Sequence, residues 1–143
     1  MPNLFALLFL LLYPQTTSKT EQENWEQIRS IAEAQHEIVM LLIKKTQFDK
    51  VLEASKKIFS LNFPYDQEHL FVKEGQIVAD ALIHHKQYEL AHDVLDAALK
   101  AVISSKSKAS LYKEKAYLCT KEGEDDEAMK LFEKALELEK SSP

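Results

Sequence analysis

The chain has 143 residues, 45% of them hydrophobic and 29% charged, with a formal net charge of −5. That is apolar material for one compact domain and not two, and no dense run of Lys or Arg is present to neutralise a row of phosphates, so nucleic acid is excluded as an expected partner. Glycine occurs only at Gly75 and Gly123 and Cys119 is the single cysteine, which argues against turn-rich sheets and rules out an internal disulfide.

Residues 4–13 read LFALLFLLLY and are followed by Pro14 and the polar stretch Gln15, Thr16, Thr17, Ser18. The run is shorter than the roughly 20 residues that span a bilayer, but it fits the apolar core of a signal peptide, with Thr16 and Ser18 small enough for the positions before a cleavage point. Residues 1–18 are therefore expected to be a leader. The remainder is then exported, periplasmic or secreted, when the leader is cleaved, and membrane-anchored when it is not. Residues 19–140 form the expected folded domain, and 141–143 a tail.

Thr20 followed by Glu23 has the form of a capping box, and the apolar stripe Trp25, Ile28, Ile31, Ala32, Ile38, Val39, Leu42, Ile43 predicts a first helix to about Lys45. A second follows with Phe48, Val51, Leu52, Ile58 and Phe59, and breaks before Pro64. Asp66 is placed to cap a third, which carries Leu70, Phe71, Val78, Ala79, Leu82 and Ile83. The fourth holds Tyr88, Ala91, Val94, Leu95, Ala98, Leu99 and Val102 and stops in the polar run 104–107. A fifth holds Leu111, Tyr112, Ala116, Tyr117 and Cys119, and a sixth Ala128, Phe132, Ala135, Leu136 and Leu138. Links this short place sequence neighbours antiparallel, giving three helical hairpins.

A phrase recurs: TQFDKVLEASKKIFSL from Thr46, KQYELAHDVLDAALKA from Lys86 and GEDDEAMKLFEKALEL from Gly123, with starts 40 and 37 residues apart. Self-similarity of this kind marks a repeat array, whose units bury their apolar faces by stacking. The third phrase resembles the tetratricopeptide repeat: Gly123 at the turn, Ala128 and Ala135 as the small residues where helices cross, Phe132 as the aromatic. In the second unit Tyr88, Ala91, Leu95 and Ala98 take these places, with Lys86 in place of the turn glycine. In the first, Val51, Ser55 and Ile58 stand where small, large and small residues are usual. Lys115 falls where the first helix of the third unit would bury leucine. The resemblance implies an all-α fold of about three antiparallel hairpins, in units of approximately 32–63, 66–103 and 108–140, stacked as a right-handed superhelix.

Metal and catalytic readings are weak in the sequence. His84, His85 and His92 lack a Cys or carboxylate at a recognisable ligand spacing, and the acidic run Glu122, Glu124, Asp125, Asp126, Glu127 lacks the alternation of a calcium loop. No nucleophile elbow or phosphate loop is present, and Cys119 reads as a packed thiol. No metal, cofactor or small-molecule substrate is expected, and no enzyme activity. The resemblance instead implies a concave groove lined by the first helix of each hairpin: Glu33, His36, Met40 and Lys44, then Lys73, Gln76, Asp80 and His84, then Lys113, Tyr117 and Lys121. Such a mixed lining suits a peptide or a partner helix. The family's carboxylate clamp is not implied, because His36 and Met40 occupy its first-unit positions. The expected function is a protein-binding adaptor or scaffold, with self-association through the C-terminal helix as a further expectation; the alternative is a small structural accessory subunit of a larger envelope assembly.

Overall fold

In a computed structural model the backbone is described for residues 2–141 and the side chains for residues 20–141. The side chains of the leader expected over 1–18, and the last two residues of the tail, lie outside this description. Within the described residues six α-helices account for the fold: α1 Pro2–Lys44, α2 Val51–Phe59, α3 His69–His84, α4 Tyr88–Ala101, α5 Ser105–Lys121 and α6 Asp125–Lys140. Short 3₁₀ turns at Phe48–Lys50 and Tyr65–Gln67 lead into α2 and α3. Among the described residues there is no strand, and no helix is long and apolar enough to cross a membrane.

Several helix ends differ from expectation. The backbone of α1 is helical well before Thr20, so the Thr20 and Glu23 pair does not start a helix. Asp66 lies inside the 3₁₀ turn, and the residue preceding α3 is Glu68. Val102 is extended, with φ −103° and ψ 150°, and lies just outside α4. The polar run 104–107 is not a loop but the start of α5. Ser104 caps it, its Oγ accepting from the Ser107 N–H at 3.1 Å, which satisfies a donor the first helical turn would otherwise leave open.

The three turns that close the helix pairs share one backbone. Thr46, Lys86 and Gly123 have φ of 55°, 57° and 78°. Each N–H bonds back to the carbonyl three residues earlier, and the next residue's N–H to the carbonyl five earlier: Gln47 to Leu42, Gln87 to Leu82, Glu124 to Cys119. This is the left-handed helix C-terminus that glycine adopts without strain. The recurrent phrase begins at this residue each time, so the repeat in the sequence is a repeat in the chain path.

The second helices keep the same register after each turn. Val51, Ala91 and Ala128 are buried, as are Ile58, Ala98 and Ala135, while Ser55 and Leu95 fill the place that Phe132 half-fills. The large Val51 and Ile58 are thus buried at positions where small residues are usual in the repeat they resemble. Within pairs, α1 packs on α2, α3 on α4 and α5 on α6; between pairs, α1 touches α3, α3 touches α5, α2 touches α4 and α4 touches α5. The continuous core runs from Val39 and Ile43 through Val78, Leu82, Val94 and Leu95 to Leu111 and Leu118. Gly75 sits at the centre: a Cβ there would lie 3.2 Å from Ala98 Cβ and 3.4 Å from Leu111 Cδ2, so its absence lets α3, α4 and α5 meet closely.

Candidate interaction groove

The row formed by α1, α3 and α5 carries two polar links between neighbouring helices. His36 Nδ1 lies 2.7 Å from Glu74 Oε2, and Gln76 Nε2 donates to Glu114 Oε1 at 3.3 Å. Both cross from one first helix to the next. Glu74 is largely enclosed, with 12% of its side chain exposed, so its carboxylate needs the His36 partner.

Around the first link an open depression is lined by Arg29, Glu33, His36, Lys73 and Glu74 over the apolar floor of Ile58, Phe63 and Ile77. Phe63 is fixed there by stacking on Phe71, with ring centroids 4.2 Å apart, and by the edge of Trp25 at 5.0 Å. Around the second link stand Asp80 and Lys121. Burial, and after it the charge of Asp80, push the Glu114 carboxyl above its usual range, while Lys121 and the Gln76 hydrogen bond hold it partly down. Extra negative charge is therefore unwelcome there and a cationic group is welcome.

The expected lining is brought together in part. Glu33, His36, Lys73, Gln76, Asp80 and Lys121 lie on this row and take part in the two polar settings. Lys44 and His84 are exposed near the turns, and Met40 is half-buried against the core. Lys113 and Tyr117 are engaged by α6: Lys113 is ion-paired with Glu139, and the Tyr117 ring meets the Phe132 edge at 5.1 Å. Counting back from the turn brings Glu33, His36, Lys73, Gln76 and Asp80 of α1 and α3 to this row, but not Met40, Lys44 or His84. In α5 it misses that α6 draws Lys113 and Tyr117 toward itself. The residues overlooked in the sequence are Glu74 and Glu114, which look like ordinary solvated acids until the neighbouring helix supplies a partner.

Lys115, at a position where leucine is usual, is folded back onto Asp96 of α4. The side chain is only 17% exposed and its ammonium finds a carboxylate, which explains how the pair tolerates a charge there. Glu68 holds part of the helical frame together. Although it is only 7% exposed, its two carboxylate oxygens accept from the backbone N–H of Ile103 at 2.8 Å and of Ser104 at 2.9 Å, fixing the α4 to α5 link against α3. Burial would raise its pKa, but these bonds and those from the Ser104 and Ser107 side chains outweigh it and leave the carboxyl below its usual value.

No family model matches the chain, and comparison with curated proteins finds no match.

Proposed function

We propose that this chain is a non-enzymatic interaction module of the tetratricopeptide type, whose first helices form a groove for a peptide or partner helix. The observation that carries this reading is the pair of polar links, His36 to Glu74 and Gln76 to Glu114, set along one row of helices with charged and apolar side chains open beside them. An extended peptide or an amphipathic helix is recognised by such alternation of anchors and charges. A basic side chain on the partner is suited to Asp80 and Glu114, and an acidic one to Arg29 and Lys73.

The side chains also speak against nucleophilic chemistry. The thiol with an imidazole in reach, Cys119 beside His92 at 4.0 Å, is buried. Burial, and after it the charges of Glu122 and Glu127, raise its pKa and keep it a thiol, a poor nucleophile.

The test is affinity capture from the native host with the chain from Lys19 onward beside two variants, Lys73→Glu and Lys113→Ala. A groove partner is retained by the native chain and by Lys113→Ala, whose ammonium is already engaged by α6, and is lost on Lys73→Glu. Equal capture by all three forms would sink the groove assignment.

The second reading, an accessory subunit completing a larger assembly, is favoured by one feature. Ile31, Ile38 and Leu41 form an apolar stripe along α1 that is about half exposed. A chain that needs a partner there melts broadly in isolation; an independent module melts in one sharp, cooperative transition.

A further inference from the structure

Where α4 meets the end of α5, three side chains of different chemistry converge. Cys119 lies in the last turn of α5, and Glu122, three residues on, is the residue that caps its C-terminal end. His92 reaches them from α4, its Nε2 lying 3.1 Å from Glu122 Oε2 and 4.0 Å from Cys119 Sγ. The three donor atoms all lie within 4.8 Å of one another. A tetrahedral zinc ion with a Zn–S bond of about 2.3 Å and a Zn–N bond of about 2.0 Å holds its donors about 3.5 Å apart. The two separations from His92 bracket that value and the third is within 4.8 Å, so shifts of about an ångström in the donor atoms would close the set.

We propose that His92, Cys119 and Glu122 form a binding site for a divalent zinc-like cation, with one coordination position left to water. One sulfur, one nitrogen and one oxygen donor match the borderline-soft preference of Zn²⁺ and not the all-oxygen preference of Ca²⁺ or Mg²⁺. The local field favours a cation. The carboxylates of Glu122, Glu124 and Glu127 act on the thiol, and the opposing ammonium of Lys115 is engaged by Asp96. Cys119 is 4% exposed, while 20% of the His92 side chain and 22% of the Glu122 side chain are open, so the ion enters from the rim and the sulfur closes the inner side.

Binding replaces the thiol proton. Neutral Cys119 and Zn²⁺ give a zinc-bound thiolate and one proton released to solvent, with His92 as neutral imidazole and Glu122 as carboxylate. No electron is transferred. Because the ligands come from α4 of the second helix pair and α5 of the third, the ion clips the two pairs together and stabilises the folded form by mass action.

The experiment titrates Co²⁺, then Zn²⁺, into the untagged full-length chain under reducing conditions. Expected are a near-ultraviolet thiolate-to-cobalt absorption band that saturates at one equivalent, its displacement by Zn²⁺, and a rise in Tm with Zn²⁺. His92→Gln and Glu122→Gln each weaken cobalt binding tenfold or more, and in each the rise in Tm with Zn²⁺, measured against that variant's own metal-free Tm, is reduced. Cys119→Ala abolishes the band, and His84→Gln, at the exposed end of α3, changes nothing. If Cys119→Ala fails to fold, the other two variants still decide. The proposal is overturned if no band appears up to about a thousandfold below molar Co²⁺, the weak end of specific affinities. It is equally overturned if the band keeps its intensity and midpoint in both His92→Gln and Glu122→Gln, which would mean that the thiol alone captures the metal.

Discussion

Two stripes of side chains, one on α1 and one on α3, occupy the same place in the repeat and meet opposite fates. Ile31, Ile38 and Leu41 stand as far before Thr46 as Phe71, Val78 and Ala81 stand before Lys86. On α3 the stripe packs against the first helix pair, leaving Phe71 5% and Val78 0% exposed; on α1 the three residues are 50%, 48% and 52% exposed. The apolar pattern is the same, so burial here is a property of the neighbour and not of the residue. α5 solves the same positions in a third way: Leu118 is buried, but Lys115 replaces the apolar residue and turns back to Asp96.

The comparison is sharpest at its first position. Phe71 stacks on Phe63 and meets the edge of Phe59 at 5.8 Å, so Phe71→Ala removes a ring from a closed cluster and is expected to destabilise by about 3–5 kcal/mol. The counterpart Ile31→Ala opens no cavity and is expected to cost within about 0.5 kcal/mol. Denaturant titration of both variants measures the contrast. Equal losses would mean that the α1 stripe is covered in solution.

α3 is also held from its other side, by Glu68 at the α4 to α5 link. Glu68→Gln loses the charge that two backbone N–H groups point at, with an expected cost of about 1–3 kcal/mol at neutral pH. The sign of the pH dependence follows from the lowered pKa. Stability from this carboxylate is fully present above the ordinary value of 4.5 and is lost as pH falls through the lower folded value. The gap between the native chain and Glu68→Gln is therefore expected to close in acid. A gap of constant size from pH 7 to pH 3 would contradict the account.

Where α1 and α3 are alike, they are alike in strain. Thr46 and Lys86 hold the left-handed conformation that Gly123 holds freely. Relief of about 1–2 kcal/mol of backbone strain is partly offset by the greater freedom of glycine in the unfolded chain, about 0.5–1 kcal/mol. Thr46→Gly and Lys86→Gly are each expected to stabilise by about 0.5–1 kcal/mol, and Gly123→Ala to destabilise by a similar amount, since an added Cβ there meets nothing within 4 Å. Thermal melts of the three variants check the sign, and a loss on Lys86→Gly would show that its side chain matters more than its backbone.

The turns were the most legible part of this molecule because each is specified locally: the recurrent phrase starts at the residue with positive φ in all three pairs. Apolar periodicity likewise located six helices, since the buried faces of α3 and α4 are continuous. Helix starts were less legible. Ser104 caps α5 through one hydroxyl in a serine-rich run that reads as loop, and Glu68 looks like a surface acid until the α4 to α5 link folds onto it. The groove was half legible for the same reason. His36 and Gln76 follow from counting back from the turn, but their partners Glu74 and Glu114, and the capture of Lys113 and Tyr117 by α6, depend on packing between helices distant in sequence. The cluster of His92, Cys119 and Glu122 was not legible because its members come from two helices: His92 reads beside His84 and His85, which are exposed, with no Cys or carboxylate at a ligand spacing along the chain.

The smallest expected effect tests whether the α1 stripe is open to solvent. Ile38 and Val78 occupy the same repeat position, but a polar side chain at 38 leaves water where water already is. Ile38→Ser is therefore expected to change the stability of the isolated chain by less than about 0.5 kcal/mol, independent of protein concentration. Val78→Ser, which buries a hydroxyl in a site with no exposure, is the positive control for the assay. If Ile38→Ser instead costs more than about 2 kcal/mol and the loss grows with protein concentration, the stripe is buried between copies, because only an associating form gains stability by mass action. The same variant then separates the two ends of the molecule: association unaffected by Ile38→Ser but weakened by Leu136→Ser, on the exposed side of α6, places the contact at the C-terminal helix and leaves the α1 face open.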